Sequence, residues 1–531
     1  MKNIKLKIPK EIVEVTETLE KGGFEAYLVG GCVRDLLLDR KPKDWDITTN
    51  AKPEQILELF EHTFYENDYG TVGVVSGETP ENVSHETLKK VSDPKPAVGQ
   101  SKTPKKVSHE TSKDVSYETL DETLKTIEIT PYRLESKYSD SRHPDAVIFS
   151  DKLEDDLKRR DFTINAIAYS VSRGTLVDLF QGQKDIKDKI IRTVGKPENR
   201  FGEDALRLLR AVRLATELGF IIEPETEKAT AKQAENLKYI SQERIRDEFI
   251  KIIMTDAPMN GLVLAQKLGL LKYILPELEE GLDMKQKGAH IFTVWEHNLR
   301  ALQHSADRNW SLVIRLSAVL HDIGKPRTRR WHKEKEEWTF YGHDVVGERV
   351  SREILTRLRF SKQIIEIVSV LVRNHLFFSD IDQITLSAVR RIIHNVGPEN
   401  VWDLMKVRAC DRIGMGRPKE NPYRLRKYKA MIEEAMKAPV SVKMLKIDGK
   451  RLMDVIRETP GPKIGWILNA LLEEVLDDPM LNTIEYLEEK AQKLAKLPEK
   501  ELKLLGEQGK EKKEIEEEKE VAVIRAKHWV K

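Results

Sequence analysis

Cysteine is nearly absent. Cys32 and Cys410 are the two in 531 residues, far apart and in no metal-type spacing, which argues against a disulfide framework. The chain also lacks any apolar run long enough to span a bilayer. Its amino-terminal Met-Lys-Asn-Ile-Lys-Leu-Lys-Ile-Pro has no stretch of secretory-signal length. The expected location is the cytoplasm, with no membrane partner. An excess of one charge is missing as well: 90 Lys and Arg against 88 Asp and Glu leave a net charge of +2. Bulk charge therefore decides nothing about nucleic acid, and any RNA contact must come from local clusters of Lys and Arg. The 40% hydrophobic and 34% charged residues read as a soluble globular protein. A chain of this length should divide into several domains.

The first 75 residues alternate helix and strand signals. Glu11 to Lys21 has helical period and ends at Gly22-Gly23. Ala26 to Val29 is a short apolar strand running into Gly30-Gly31, and Val33 to Leu38 reads as the next helix. Asp46 to Thr48 reads as a strand, and Pro53 opens a helix through Phe60. Thr71 to Val75 and Thr126 to Ile129 are rich in β-branched residues and read as strands. Between them, residues 76–125 are polar, carry four prolines and repeat Val-Ser-His-Glu-Thr at 83–87 and 107–111, with Val-Ser-Tyr-Glu-Thr at 115–119. So few apolar residues cannot offset the entropy of ordering, and the segment is expected to be a disordered insertion. His85 and His109 are accordingly poor ligand candidates. From about residue 155 the pattern is overwhelmingly helical. Asp204 to Leu218 is amphipathic, with Ala205, Leu208, Leu209 and Val212 set against Arg207, Arg210 and Arg213. The Lys- and Glu-dominated stretch 499–520 reads as a solvated helix or frayed tail.

Two features of the first third carry chemistry. Glycines at the junction of the Leu28-Val29 strand and the following helix let backbone amides approach a triphosphate, aided by the helix N-terminus. At short range follows Lys43-Asp44-Trp45-Asp46. Residues two apart on a strand share a face, so Asp44 and Asp46 can hold two hard cations close together, as in-line displacement at phosphorus requires. Further on, Asp204 and Arg207 stand three apart on one predicted helix and share a face. A carboxylate and a guanidinium side by side offer an acceptor and donors to a Watson–Crick edge.

Gly-Gly-x-Val-Arg-Asp-x-Leu-Leu (Gly30 to Leu38) followed by Asp-x-Asp resembles the head of the polymerase-β-like nucleotidyltransferases, and more specifically class II CCA-adding enzymes and bacterial poly(A) polymerases. Arg159-Arg160-Asp161-Phe162-Thr163-Ile164-Asn165-Ala166 is similar to that family's R-R-D-F-T-x-N-A element. Glu203-Asp204-Ala205-Leu206-Arg207 is similar to its E-D-x-x-R element. Leu445 to Lys450 and Pro460-Gly461-Pro462 resemble its tail, which lies near tRNA. The resemblance implies Asp44 and Asp46 as catalytic ligands of Mg2+. It implies nucleotide contacts from Gly30, Gly31, Arg34, Arg159 and Arg160, and from Asp204, Arg207, Arg210 and Arg213. Asp204 and Arg207 would read the incoming base. Glu128 sits where the family often has a strand acid, and strand alternation alone explains it equally well.

A second set of residues lies downstream: His297, then His321-Asp322 ending an apolar run, then His343, His375 and Asp411. This order resembles the HD phosphohydrolase superfamily. It implies a cation held by His297, His321, Asp322 and Asp411, with His343 and His375 serving a second metal or a phosphate. Imidazole and carboxylate ligands suit Mn, Ni, Co or Fe.

The expected architecture is α+β: a polymerase-β-like nucleotidyltransferase head with a small mixed sheet (1–75 and 126–170), then a long all-α body. Its expected parts are a neck at 171–284, an HD domain at 285–415, an RNA-binding tail at 416–495 and a charged terminus at 496–531. The resemblance implies addition of C, C and A to a tRNA or other RNA 3′ end from CTP and ATP. Poly(A), A-only and CC-only addition stay open, as does an HD phosphohydrolase with a degenerate head. The intact paired carboxylates argue against a non-catalytic RNA-binding protein.

Overall fold

A computed structural model of the chain describes residues 6–65, 70–76, 125–135, 147–286, 291–334, 336–376, 385–436, 442 and 445–530. The disorder expected of the insertion therefore lies outside the described residues, as do His85 and His109. The chain forms two compact units: residues 1–280 with 354–360, and residues 281–353 with 361–531.

The first unit opens with the Lys10–Lys21 helix, whose Ile12, Val15 and Leu19 recur at helical spacing and are buried. Its sheet has seven strands: β1 (Ala26–Val29), β2 (Asp46–Thr49), β3 (Thr63–Tyr65), β4 (Val72–Ser76) and β5 (Lys125–Pro131), then, past a separate β6 (Arg133–Glu135) and β7 (Val147–Phe149) hairpin, β8 (Ile167–Ser170) and β9 (Thr175–Asp178). The order is β3-β4-β5-β2-β1-β8-β9, with β2 and β5 parallel and the other neighbours antiparallel. This is the expected small mixed sheet. Strands β8 and β9 fall where the sequence reads as helical, because each is four residues long and too short for a clear period-2 signal. Along β5, Ile127 and Ile129 are fully buried while Glu128 between them is half-buried. The pleat thus turns that carboxylate away from the apolar layer.

Strands β4 and β5 are antiparallel and their last pair is Ser76↔Lys125. The residues flanking 77–124 are therefore neighbours in space. A two-residue Asn-Gly turn spans such a gap, and loop closure changes by only about 0.6 kcal/mol per doubling of length. Replacing 77–124 by Asn-Gly is expected to leave the nucleotide addition that the resemblance implies within about threefold of wild type. A folded deletion variant without activity would show the segment to be integral.

Among its described residues, the second unit is helical apart from one small hairpin. Among its described helices are Val294–Asp307, Leu312–Leu320, Lys362–Asn374 and Val401–Gly414. The charged terminus is one long helix, Glu499–Lys527. It is not merely solvated. Leu502 is fully buried in a core with Ile467, Leu471 and Leu494, and Ile524 and Val530 pack on Ala430. The apolar residues are sparse enough among Lys and Glu that composition alone hides this docking face.

Candidate active sites

Gly30 ends β1 with φ +82° and ψ −137°, a backbone conformation that side-chain-bearing residues rarely adopt. A Cβ there would stand 3.2 Å from Asp46 Oδ2 and 3.2 Å from Arg160 Nη1. The diglycine, the Asp-x-Asp segment and the Arg-Arg element thus converge on one point. Asp46 begins β2, and its register partner on β5 is Glu128. That places a third carboxylate-bearing position beside the pair. Asp44 lies in a bend before the strand and is exposed, so the two-residue period of a strand does not by itself put it on one face with Asp46. Cys32, directly behind, donates to the carbonyls of Val29 and Asp46 at 3.2 and 3.8 Å. Burial pushes its thiol up to about 12, which leaves it a neutral packing group.

The arginines around this point are held by buried acids. Asp156 is fully buried and receives Arg159 Nε at 2.8 Å and Arg160 Nη2 at 3.0 Å. Burial opposes its ionisation, but the two guanidiniums more than offset this and hold the carboxyl below the usual range. Arg34 is buried and gives Nη1 to Asn165 Oδ1 at 2.9 Å and Nη2 to Asp35 at 2.8 Å. Asn165 donates to Asp161 at 3.1 Å, and Asp161 accepts from Arg210 Nε at 2.7 Å. Glu248, also buried, takes Arg213 Nε at 2.7 Å and lies 3.8 Å from Arg210. A continuous polar network therefore runs from the diglycine to the Leu206–Leu218 helix.

Asp204 differs from the expectation. The helix starts at Leu206, and Asp204 precedes it in an extended conformation. Its Oδ1 accepts from Leu206 N at 3.0 Å, while Oδ2 pairs with Arg244 at 2.7 Å. The Asp204 side chain satisfies an amide at the helix entrance just ahead of the N-cap residue Ala205, and the helix starts two residues later than its periodicity suggested. Arg207, in the first turn, binds Glu203 Oε2 at 2.6 Å and the carbonyls of Arg200 and Arg159 at 3.0 and 3.2 Å.

In the second unit, the His-Asp residues meet in a buried cluster. His321 and Asp322 follow the Leu312–Leu320 helix, whose apolar residues drive them inside. The ligand atoms of His297, His321 and Asp411 lie within 4.8 Å of one another, as do those of Asp322, His343 and His375. Asp322 lies between the sets: Oδ2 is 3.0 Å from His297 Nε2, and Oδ1 is 3.2 and 3.6 Å from the Nε2 atoms of His343 and His375. Nδ1 of His321, His343 and His375 each lies 2.7 Å from a carbonyl three residues back, Ala318, Phe340 and Val372. A proton on Nδ1 in that bond leaves the Nε2 lone pair aimed inward, the tautomer a metal needs. Nε2 of His343 and His375 is buried, faces Asp322 Oδ1 and makes no well-formed hydrogen bond. Lone pairs gathered around one carboxylate in this way fit a cation.

Charge in the cluster is balanced from outside. Burial opposes ionisation of Asp322, but Lys325 Nζ at 2.5 Å more than offsets it, and the carboxyl stays well below its usual range. Arg408 pairs with Asp411 in the same way. Burial disfavours protonated His297, yet hydrogen bonds to Asp322 and Asp411 prevail and push it up to about 9. Such a proton must leave when a metal binds. A Cβ on Gly324 would stand 2.6 Å from Gly347 N, so glycine lets the helix carrying His343 close on Asp322.

Residues 26–114 and 92–192 match the Poly A polymerase head domain family, 219–282 a probable RNA- and SrmB-binding site of polymerase A, and 294–413 the HD domain family. The CCA-adding enzyme of Lactobacillus delbrueckii subsp. bulgaricus is 31% identical over 487 residues, covering 91% of this chain and 98% of the relative. The chain belongs to the CCA-adding enzyme family. The A-adding tRNA nucleotidyltransferase of Deinococcus radiodurans is 35% identical, covering 62% of this chain and 76% of the relative. The crystal structure of the Bacillus stearothermophilus CCA-adding enzyme in complex with CTP matches with TM-score 0.54 at 26% identity, over 91% of this chain and 96% of that one.

Within this CCA-adding family member, several residues of the site escaped sequence reasoning. Asp156 and Glu248 hold the arginines, Arg244 holds Asp204 and Lys325 neutralises Asp322, yet each reads as an ordinary helical charge. Their signal is burial, which composition does not show. Asp448, in the tail motif, caps the Gly449–Ile456 helix through Arg451 N at 2.8 Å. No described helix is long and apolar enough to cross a membrane.

Proposed function

We propose that the first unit adds C, C and A to the 3′ end of tRNA from CTP and ATP without a nucleic-acid template. The observation that carries this is the convergence of Asp46 and Arg160 on Gly30. One side brings carboxylate oxygen for a hard cation, the other a guanidinium for phosphate oxygens, and the glycine leaves room for a triphosphate between them. Asp44 and Asp46, with hard oxygen donors, would hold Mg2+. When bound, the ions neutralise charge on the transferring phosphoryl group and favour the nucleophilic form of the RNA 3′-hydroxyl. The chain's own part is placement: Arg159 and Arg160 are fixed by Asp156, and Arg34 by Asp35 and Asn165. Little rotamer entropy is then left to lose when a nucleotide binds. The test is to sequence products formed on tRNA lacking its 3′ CCA, with CTP and ATP supplied singly and together. Addition of A alone is the second reading, favoured by the 35% identical A-adding relative. It predicts no extension with CTP and one A on tRNA ending in CC.

For base choice, the proposed readers are Asp204 and Arg207, with Arg244 holding the carboxylate and Glu203 the guanidinium. A carboxylate accepts from the exocyclic amino group that C and A carry, and a guanidinium donates to the adjacent ring nitrogen. U and G present a carbonyl and an N–H there, leaving groups unpaired at about 1–3 kcal/mol each. Asp204→Ala is expected to lower the ratio of kcat/KM for CTP over UTP by about tenfold or more. An unchanged ratio with all four nucleotides equally slowed would make Asp204 a structural cap.

The second unit is proposed to be a metal-dependent phosphohydrolase, its His and Asp ligands holding Mn, Ni, Co or Fe.

A further inference from the structure

The hairpin between Lys325 and His343 belongs to neither ligand set. Its strands, Arg330–His332 and Glu337–Thr339, pair at Arg330↔Thr339, Trp331↔Trp338 and His332↔Glu337. Cross-strand partners project from one face, so the two tryptophans share it. Their rings meet at 5.3 Å and 71°, and the Arg329 guanidinium stacks 3.9 Å over Trp338. Even so, Trp331 is 50% exposed, Trp338 37%, and Tyr341, just past the exit strand, 71%. A pair needed only to hold two three-residue strands would not leave so much aromatic surface in water.

Charge on the hairpin is unevenly placed. Arg327, Arg329, Arg330 and Lys333 occur in and around the entering strand without one carboxylate among 327–333, while Glu334, Glu336 and Glu337 gather at the turn and beyond. Arg329 and Lys333 stand two residues either side of Trp331, just beyond the ends of its strand, and Arg329 lies over the Trp338 ring. The base of the hairpin is the metal-competent cluster itself: Lys325 Nζ is 2.5 Å from Asp322, and Phe340 O is 2.7 Å from His343 Nδ1. Open rings flanked by cations are how proteins hold single-stranded nucleic acid without regard to sequence, by stacking bases and neutralising phosphates.

We propose that this hairpin binds the 3′-terminal nucleotides of single-stranded RNA. A base stacks on the Trp331–Trp338 face, phosphates lie beside Arg329 and Lys333, and the terminal phosphate reaches the His-Asp cluster. The delivery step rests on the phosphohydrolase reading above; the binding step does not. The test uses the full chain and a 4-thiouridine hexanucleotide ending in a 3′-phosphate, which has no 3′-hydroxyl to accept a nucleotide. Irradiation is expected to cross-link residues 329–341, with the yield lost in Trp331→Ala and kept in Trp331→Phe. With Mn2+ supplied, Trp331→Ala is expected to raise KM for phosphate release from the hexanucleotide about tenfold or more, and to leave p-nitrophenyl phosphate hydrolysis within about twofold. Cross-links confined to other segments overturn the proposal, as does equal loss on both phosphate probes, which marks a structural role. Loss of a self-associated species in Trp331→Ala without any hairpin cross-link makes the face a contact between copies and also overturns it. Cross-linking to the hairpin with no hydrolysis of either probe upholds RNA binding and removes the phosphohydrolase reading alone.

Discussion

Asp46→Asn is expected to lower single-turnover nucleotide addition by at least about a thousandfold, with the protein still folded. The substitution keeps the shape of the side chain and removes only its charge. Asp46 is half-buried at the first residue of β2, ahead of the buried Ile47, Thr48 and Thr49 that carry the strand's packing. The backbone pairing of β2 with β1 and β5 does not use the carboxylate. Stability should therefore move little, whereas a hard cation loses a charged oxygen ligand next to the reacting phosphate. Asp44→Asn should behave alike in rate and perturb the fold still less, because Asp44 is exposed and outside the strand. Parallel melting curves and addition rates on tRNA lacking CCA check both. A folded Asp46→Asn protein with wild-type rates removes the two-carboxylate site and the reading built on it.

How far the sequence foretold this arrangement depends on the range of the signal. The helix at Lys10–Lys21, the strand at Ala26–Val29 and the β4 and β5 strands are local patterns of period and β-branching, legible to within a residue or two. The ordered motifs around Gly30, Asp44, Asp46, Arg160 and Asp204 picked out the candidate residues. They did not show how those residues are held, because Asp161, Arg210 and Glu248 join positions far apart in sequence through burial. Asp204 shows the opposite failure: helical periodicity continued through it, while the helix begins only at Leu206, whose amide donates to its side chain. The exposed Trp331–Trp338 hairpin was missed because two three-residue strands with charged neighbours carry almost no periodic signal.

Asp322→Asn carries the other large expected effect, and it is confined to the second unit. Metal-dependent phosphoester hydrolysis should fall at least about a hundredfold, and the divalent metal that co-purifies should be lost from both ligand sets together. The reason is position. The Asp322 carboxylate spans the two trios, with one oxygen 3.0 Å from His297 and the other 3.2 Å from His343, so its charge is shared between them. His321→Ala removes one ligand of a single trio and should deplete one set more than the other. The fold can suffer, since Asp322 is buried against Lys325, and an uncompensated ammonium is costly. An Asp322→Asn, Lys325→Met double variant, which removes both charges, separates that cost from metal loss. Nucleotide addition by either variant should stay near wild type, because Asp44 and Asp46 lie in the other compact unit. Metal content by elemental analysis, hydrolysis of p-nitrophenyl phosphate and extension of tRNA lacking CCA are measured on one preparation. If Asp322→Asn and Asp46→Asn each remove both activities, one composite site must replace the two. If metal content is unchanged in Asp322→Asn, the buried His-Asp cluster is a structural element of the helical unit and not a metal centre.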